Sequence, residues 1–375
     1  MKTKLLFIVN VDWFFLSHRL PIALEAQRNG FDVHLICKVT DKRALIESKG
    51  ITLHDLDIKR SGTNPLVELR TLTRLFFICK MIRPNIIHSI TIKPVIYGNL
   101  VSRILRIPRV SSISGLGYVY ISQGWKARML ASLVSWVYKF ALGNCEKVIF
   151  QNSSDVEDLR RISAVKDSQV VLIRGSGICL DDYVPCDEPE GPPVVMFMSR
   201  LLLDKGIREF VEAARLVKMK ERARFVLVGN VDPDNPNSVT EPELNSWINE
   251  GVVEYWGFSS NPSETISKSN IIVLPSYREG LPKVLIEAAA CARAVITTDV
   301  PGCRDAIEPS VTGSLVPVKK VRPLVDAMML MLKNSDQRKD MAREGRKLAE
   351  SSFDISDVVN THINIYLNVM SRGKH

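Results

Sequence analysis

Residues 271–287 read Ile271-Ile-Val-Leu-Pro-Ser-Tyr-Arg-Glu279-Gly280-Leu281-Pro282-Lys-Val-Leu-Ile-Glu287. The four aliphatic residues at the start predict a buried strand that ends at Pro275. A short loop follows, and a helix is predicted to begin at Pro282. Proline suits the first helical position because its missing N–H would have no partner there. Gly280 lets another group come close to the backbone. A helix starting here aims free N–H groups and a partial positive charge at whatever lies above it, which suits a diphosphate. Glu279 precedes the helix. Glu287 lies about five residues inside it, roughly 7–8 Å further along at ~1.5 Å per residue. Two carboxylates so placed can straddle a diphosphate, one accepting hydrogen bonds from a sugar and the other from a ribose. The same spacing also fits an ordinary helix with one acid near its start and one solvated acid. Spacing alone does not choose between them.

Outward from this stretch, short β-branched runs alternate with amphipathic helices along the whole chain. In the second half the strands are Val194–Met198, Arg224–Val228, Val253–Trp256, Ile271–Leu274 and Ala294–Thr297, with helices at Ile207–Lys218 and Pro282–Cys291. In the first half the strands are Leu5–Val11, Val33–Cys37, Ile86–His88, Arg109–Ile113, Lys147–Phe150 and Val170–Ile173. Helices are expected at Pro21–Asn29, Pro65–Ile82 and Trp125–Leu142. Strands separated by helices predict right-handed βαβ units and parallel sheets, an α/β fold. At 375 residues the chain exceeds one ordinary core, so two doubly wound, Rossmann-like domains facing a cleft are expected. The boundaries read 1–185 for the first domain, 186–193 for a Pro- and Gly-rich linker, and 194–354 for the second. A last helix, 355–375, could pack back on the first domain.

Three further pieces gather at predicted strand ends. Met198-Ser-Arg200-Leu-Leu-Leu-Asp-Lys205-Gly206 follows the second domain's first strand. Arg200 offers a planar fork and Lys205 a point charge, both suited to phosphate oxygens; two solvated cations in a turn would look the same. Leu227-Val-Gly229-Asn230 places a glycine where a ligand could come close. Tyr255-Trp-Gly257-Phe258 could offer backbone and an aromatic wall to a base.

Composition narrows the function classes. Hydrophobic residues make up 46% and charged residues 24%, an ordinary globular balance. Seven cysteines (37, 79, 145, 179, 186, 291 and 303) lack CxxC or zinc spacing, so reduced thiols are expected and no metal site. Met1-Lys-Thr-Lys4 and the apolar run after it faintly resemble a signal peptide, but Asp12 interrupts the run and a first strand is the expectation. The longest apolar helical stretch, Met129–Tyr138, is about half the ~20 residues needed to span a bilayer. Charge is uneven. Residues 1–185 hold 26 Lys and Arg against 15 Asp and Glu, whereas residues 186–375 hold 24 against 26. The basic half should meet something anionic.

Arg200 with Lys205-Gly206, then Glu279-Gly280 with Glu287, resembles the signature of the retaining GT-B glycosyltransferases that include glycogen synthase and lipopolysaccharide glycosyltransferases. The resemblance covers nearly the whole chain. Phe14-Phe-Leu-Ser-His18-Arg19, Thr91-Ile-Lys93-Pro94, Ser114-Gly-Leu-Gly117 and Arg278-Glu-Gly-Leu-Pro-Lys-Val resemble a bacterial branch that builds O-antigen, capsule or other glycans on a lipid-diphosphate carrier. It implies transfer of a hexose or N-acetylhexosamine from a UDP-sugar to a polyprenyl-diphosphate saccharide with retention of configuration. Glu279, Arg200 and Lys205 would serve catalysis. Arg200, Lys205, Gly229, Gly257, Phe258, Glu279, Gly280, Leu281 and Glu287 would bind the donor. His18, Lys93, Ser114 and Gly115 would face the acceptor. No cofactor or metal is implied, since the nucleotide sugar is a substrate and cations with a helix dipole would stabilise the departing phosphate. The chain departs from many relatives in having Val11-Asp12-Trp13 where they have a Gly-Gly loop, and in lacking a histidine at Ser111–Gly117. His18 and His88 lie near predicted strand ends and could line the cleft, but a structural histidine is the expected reading of each.

The first domain also carries cations on apolar helices: Arg70, Arg74, Lys80 and Arg83 on one, Arg103, Arg106 and Arg109 around another, and Lys126, Arg128, Trp136 and Lys139 on a third. Such helices can lie on an anionic membrane, and they can equally be core faces with a solvated rim. With the resemblance they imply a cytoplasmic protein peripheral on the inner face of the cell membrane. No nucleic-acid motif accompanies the charge. Three other readings stay open: a nucleotide-sugar epimerase of similar fold, a non-catalytic nucleotide-sugar-binding subunit, and a basic nucleic-acid-binding protein.

Overall fold

In the computed structural model, residues 2–58, 64–115, 135–233 and 235–372 are described. The chain divides into two units, residues 1–176 with 355–375, and residues 177–354.

The first unit is a seven-stranded parallel sheet in the order β3-β2-β1-β4-β5-β6-β7. Its strands are β1 (Thr3–Val11), β2 (Phe31–Lys38), β3 (Thr52–Asp55), β4 (Ile86–Ile90), β5 (Arg109–Ile113), β6 (Lys147–Phe150) and β7 (Val170–Leu172). Its helices are α1 (Asp12–His18), α2 (Leu20–Arg28), α3 (Arg43–Glu47), α4 (Pro65–Ile82), α5 (Ile92–Leu105), α6 (135–142) and α7 (Ser153–Arg161). The second unit is a six-stranded parallel sheet in the order β10-β9-β8-β11-β12-β13. It contains β8 (Val194–Met198), β9 (Arg224–Val228), β10 (Glu254–Gly257), β11 (Ile271–Leu274), β12 (Ala294–Thr298) and β13 (Gly313–Val316). Helices α8 (Ile207–Lys218), α9 (Glu241–Asn249), α10 (Pro262–Ser267), α11 (Lys283–Ala290), α12 (Val321–Lys333) and α13 (Ser335–Ser352) cover it. The last helix, α14 (Ile355–Arg372), belongs to the first unit.

Alternation along β1 assigns the layers. Leu5, Phe7 and Val9 pack with Phe15, Ile22, Ala23 and Tyr366, so α1, α2 and α14 cover one face. Leu6 and Ile8 pack with Leu75, Cys79, Tyr97 and Val101, so α4 and α5 cover the other. Strand order reverses between β1 and β4 in the first sheet and between β8 and β11 in the second. In doubly wound sheets, ligands bind at these reversals, beyond the carboxyl ends of the strands.

Three readings are corrected here. Residues 186–193 do not stand apart as a linker, because buried arginines hold them to the second unit. Arg338 donates to both carboxylate oxygens of Glu188 at 2.7 and 2.6 Å, and Arg293 donates to the carbonyls of Cys186 and Asp187 at 2.8 and 3.1 Å. The boundary falls instead at 176/177. Pro282 is the N-cap rather than the first helical residue, with an extended ψ of 120°. His88 has the structural role expected of it, fully buried inside β4 rather than at the strand's end. The strands β3 and β13 were not anticipated. The helix expected over Trp125–Leu142 is described only from residue 135; Gly117, Lys126 and Arg128 lie outside the described residues.

His88 helps fasten α14. Its ring nitrogens share hydrogen bonds with the Tyr366 hydroxyl and the Ser112 hydroxyl, both at 2.7 Å. His362 is bonded to the Val358 carbonyl at 2.7 Å and its ring lies 5.7 Å from that of His88. Burial pushes His362 down to about 3, and burial together with the charges of His362 and Arg19 holds His88 well below the ordinary histidine value. Both histidines are therefore neutral in the fold and protonate first in the unfolded chain. Their contribution is complete above about pH 6.5 and is lost as pH falls below it, for His362 at up to about 1.4 kcal/mol per pH unit down to about 3. Denaturant titrations between pH 4 and 7 should show this slope, and His362→Phe should reduce it by about one proton.

Candidate active site

The carboxyl ends of β8 and β11 flank the reversal in the second sheet. The loop after β8 carries Arg200 and Lys205; the loop after β11 carries Ser276, Tyr277 and Glu279. Backbone bonds join them. Tyr277 N donates to Asp204 O at 2.9 Å, and Gly206, at φ +75°, passes so close to Pro275 that a Cβ would lie 2.2 Å from its carbonyl oxygen. Between the loops, Lys205 Nζ donates to Glu279 Oε1 at 2.5 Å and Ser276 Oγ donates to the same oxygen at 2.7 Å. The pair is largely shielded, with 18% and 11% of the side chains exposed. A carboxylate and an ammonium are thus held together at the position where this fold receives ligands.

The remaining residues anticipated for the donor lie at the carboxyl ends of β8, β9 and β10 and in the loop and helix after β11, with differing environments. Arg200 is exposed and pairs with Asp232 at 3.0 Å. Gly257, at φ +72°, has open space where a side chain would sit, and Phe258 beside it is 69% exposed. Gly229 has a different reason to be glycine. Its Cβ would lie 1.9 Å from Ser199 O, so the approach it permits is that of one strand end to another. Leu281 is buried in the unit's hydrophobic core, leaving only backbone to offer. Gly280 is also buried. Pro301 O accepts from Glu279 N at 3.2 Å, which ties the loop to the turn after β12.

Glu287, in the middle of α11, is 5% exposed. Tyr183 Oη donates to its Oε1 at 2.6 Å, and Lys283 Nζ lies 3.4 Å from that oxygen. Burial and the neighbouring carboxylate push the Tyr183 phenol well above its ordinary value, so it stays a donor. Ser276 and Asp232 could have been suspected from their places beside named motifs. Tyr183 had no such signal, because it meets Glu287 from 104 residues away.

In the first unit, the anticipated acceptor residues follow three adjacent strands. His18 ends α1, its ring stacked on Phe14 with centroids 4.5 Å apart. Lys93, in the first turn of α5, pairs with Glu68 of α4 at 2.6 Å. Ser114 and Gly115 follow β5; Ser114 Oγ is enclosed without a hydrogen-bond partner among the described residues, and Gly115 has φ +106°. At the sheet's reversal, Thr91 takes φ +73°, rare for a β-branched residue, and donates to Asn10 Oδ1. Asp12, in place of a Gly-Gly loop, accepts from Thr40 N at 2.6 Å and Thr40 Oγ1 at 2.8 Å, pinning the loop after β2. Among the described residues, no group of three or more His, Cys, Asp or Glu is disposed to hold a metal ion.

Residues 185–348 match the family model for glycosyl transferases group 1, and residues 4–152 match that for glycosyl transferase 4-like domains. The two matches together span most of both units. The chain is a group 1 glycosyltransferase. It is 29% identical to the N,N'-diacetylbacillosaminyl-diphospho-undecaprenol alpha-1,3-N-acetylgalactosaminyltransferase of Campylobacter jejuni, covering 95% of this chain and 98% of that one. It is 21% identical to the capsular polysaccharide biosynthesis glycosyltransferase CapM of Staphylococcus aureus, over 87% of each. In fold, this glycosyltransferase resembles sucrose-phosphate synthase of Thermosynechococcus elongatus, with a TM-score of 0.82 at 20% identity over 99% of this chain and all of that one. It also resembles Anabaena HepE solved with UDP and glucose, with a TM-score of 0.78 at 16% identity over 98% and 99%. Both of its sheets thus belong to the GT-B architecture.

Proposed function

We propose that this glycosyltransferase moves a hexose or N-acetylhexosamine from a UDP-sugar to a polyprenyl-diphosphate saccharide, with retention of configuration, during assembly of a bacterial surface glycan. The observation that carries the reading is the Lys205–Glu279–Ser276 cluster at the β8/β11 reversal. Lys205 and Arg200 would neutralise the donor diphosphate, helped by the N-terminus of α11. Glu279 would accept hydrogen bonds from hydroxyls of the transferred sugar. Glu287 would take the ribose through the oxygen that Tyr183 does not hold. In transfer, the bond from the sugar's anomeric carbon to phosphate breaks as that carbon bonds the acceptor oxygen on the same face. The acceptor's proton passes to the leaving phosphate. With two cations facing that phosphate, the reaction is proposed to need no metal, and chelators should leave the rate unchanged. The lipid-linked acceptor is supported by the Campylobacter relative's name, and it would place the enzyme on the inner face of the cell membrane. Among the described residues, no helix is long and apolar enough to cross a membrane.

A thermal-shift screen of nucleotide sugars tests the donor assignment. Ligand at about 100 times its dissociation constant adds about 2.7 kcal/mol to stability, so a UDP-sugar should stand out. Consumption of the UDP-sugar without acceptor, giving an isomeric sugar, would favour epimerisation instead. Tyr183→Phe should weaken UDP binding roughly tenfold, the size expected for one hydrogen bond to a charged group, and leave the acceptor KM unchanged. Calorimetric titration with UDP reads this directly.

A further inference from the structure

The outward side of α4 has a composition that solvation does not explain. Leu66, Leu69, Phe77 and Met81 stand on it, all exposed, with Met81 at 69%. Arg70, Arg74 and Lys80 alternate with them along the same side, and Arg83 follows the helix end; all four are exposed. None of these cations has a carboxylate at ion-pair distance among the described residues. The buried side is satisfied separately, since Leu75, Cys79 and Ile82 pack into the sheet. A helix that already has a core face has no structural need for a second apolar one.

The pattern continues on α5 and α6, which cover the same face of the sheet. Ile104 is 69% exposed beside Arg103 and Arg106. Trp136 is 65% exposed, its ring stacked on that of Phe140, and Arg103 lies over the Phe140 ring at 4.4 Å. Charge on this face is one-sided. The described residues between 64 and 145 include nine Lys and Arg and a single acid, Glu68, which Lys93 and Tyr97 engage.

We infer that the outer face of α4, extended by Ile104 of α5 and Trp136 of α6, is a docking surface for an anionic lipid bilayer. Cations would meet headgroup phosphates while Phe77, Met81 and Trp136 enter the interface, the division of labour of interfacial helices. A nucleic acid would use the cations and leave the aliphatic and Met side chains without a role. A second copy of the chain would bring an equally positive face against this one. Its biological purpose rests on the proposed lipid-linked acceptor, but the binding itself requires no donor or acceptor.

Sedimentation of the full chain with vesicles tests it, using phosphatidylcholine alone or mixed with phosphatidylglycerol. The wild type should pellet with the anionic vesicles, lose most binding at high salt, and bind phosphatidylcholine weakly. Arg70→Gln with Arg74→Gln should lower the partition coefficient roughly twentyfold or more, at about fivefold per cation. Phe77→Ser with Met81→Ser should lower it by a similar factor with the charge unchanged. Arg222→Gln, an exposed cation of the second unit, should change nothing. Melting curves confirm that each variant folds. Failure of the wild type to pellet, pelleting of both double variants to the same extent as the wild type, or salt-sensitive retention on nucleic acid without vesicle binding would overturn the inference. If both double variants lose vesicle binding while transferring sugar to a short-chain, detergent-soluble acceptor at the wild-type rate, the surface and the transferase reading both stand. If they bind vesicles normally and still transfer sugar, only the surface fails.

Discussion

Glu279→Ala lowers kcat/KM for sugar transfer by about a hundred- to a thousandfold, the scale seen when one preorganised transition-state contact is removed. Two losses combine. On the proposed roles, the sugar hydroxyls would lose their acceptor, and Lys205 would lose the carboxylate that holds its ammonium. Glu279→Gln separates them. The amide keeps the shape and can still accept from Ser276 Oγ, so the fold should melt close to wild type. It nevertheless loses the charge that holds Lys205, and activity should fall at least tenfold. Steady-state transfer kinetics on both variants, with melting curves as the control, measure the effect. Wild-type rates for Glu279→Ala would remove this residue from the chemistry.

The second large effect is on stability. Gly229→Ala costs the fold ~3–4 kcal/mol or more. At φ +133°, an alanine here is strained in any surroundings, and its Cβ would lie 1.9 Å from Ser199 O and 2.8 Å from Ser199 C. Neither strand end can retreat cheaply. Ser199 N donates to Val228 O at 3.0 Å, Leu201 N to Asn230 O at 3.0 Å, and Gly229 N to Gly257 O at 2.8 Å. Relief would break bonds across β8, β9 and β10 together and would displace Arg200. Urea denaturation should show the loss, with donor binding falling as well. A variant within 1 kcal/mol of wild type would mean that the strand ends have room the structure does not show.

These contrasts mark what a sequence discloses. Strands Arg109–Ile113 and Lys147–Phe150 and helix Ile207–Lys218 were legible to the residue, because uninterrupted apolar runs and a strong helical stripe each admit one solution. The edge strands β3 and β13 were not, since Thr52-Leu-His-Asp and Gly313-Ser-Leu-Val are short and pair on one side only. Residues 186–193 looked like a tether because Pro and Gly dominate them; the arginines that anchor them, Arg293 and Arg338, are distant in sequence. At the candidate site, the motifs singled out Lys205 and Glu279. That they share one hydrogen-bonded cluster was not legible, because it depends on β8 and β11 being neighbours. Glu287 showed the opposite limit: its spacing was visible, but the tyrosine that fixes it was not.

Transfer of label from a UDP-sugar into an organic-extractable polyprenyl-diphosphate saccharide tests the proposed activity most directly. The expected result is label in the lipid fraction with one UDP released per sugar moved, at a rate about a hundred- to a thousandfold lower in Glu279→Ala. The contradicting result is no labelled lipid from any UDP-sugar together with no measurable binding of UDP.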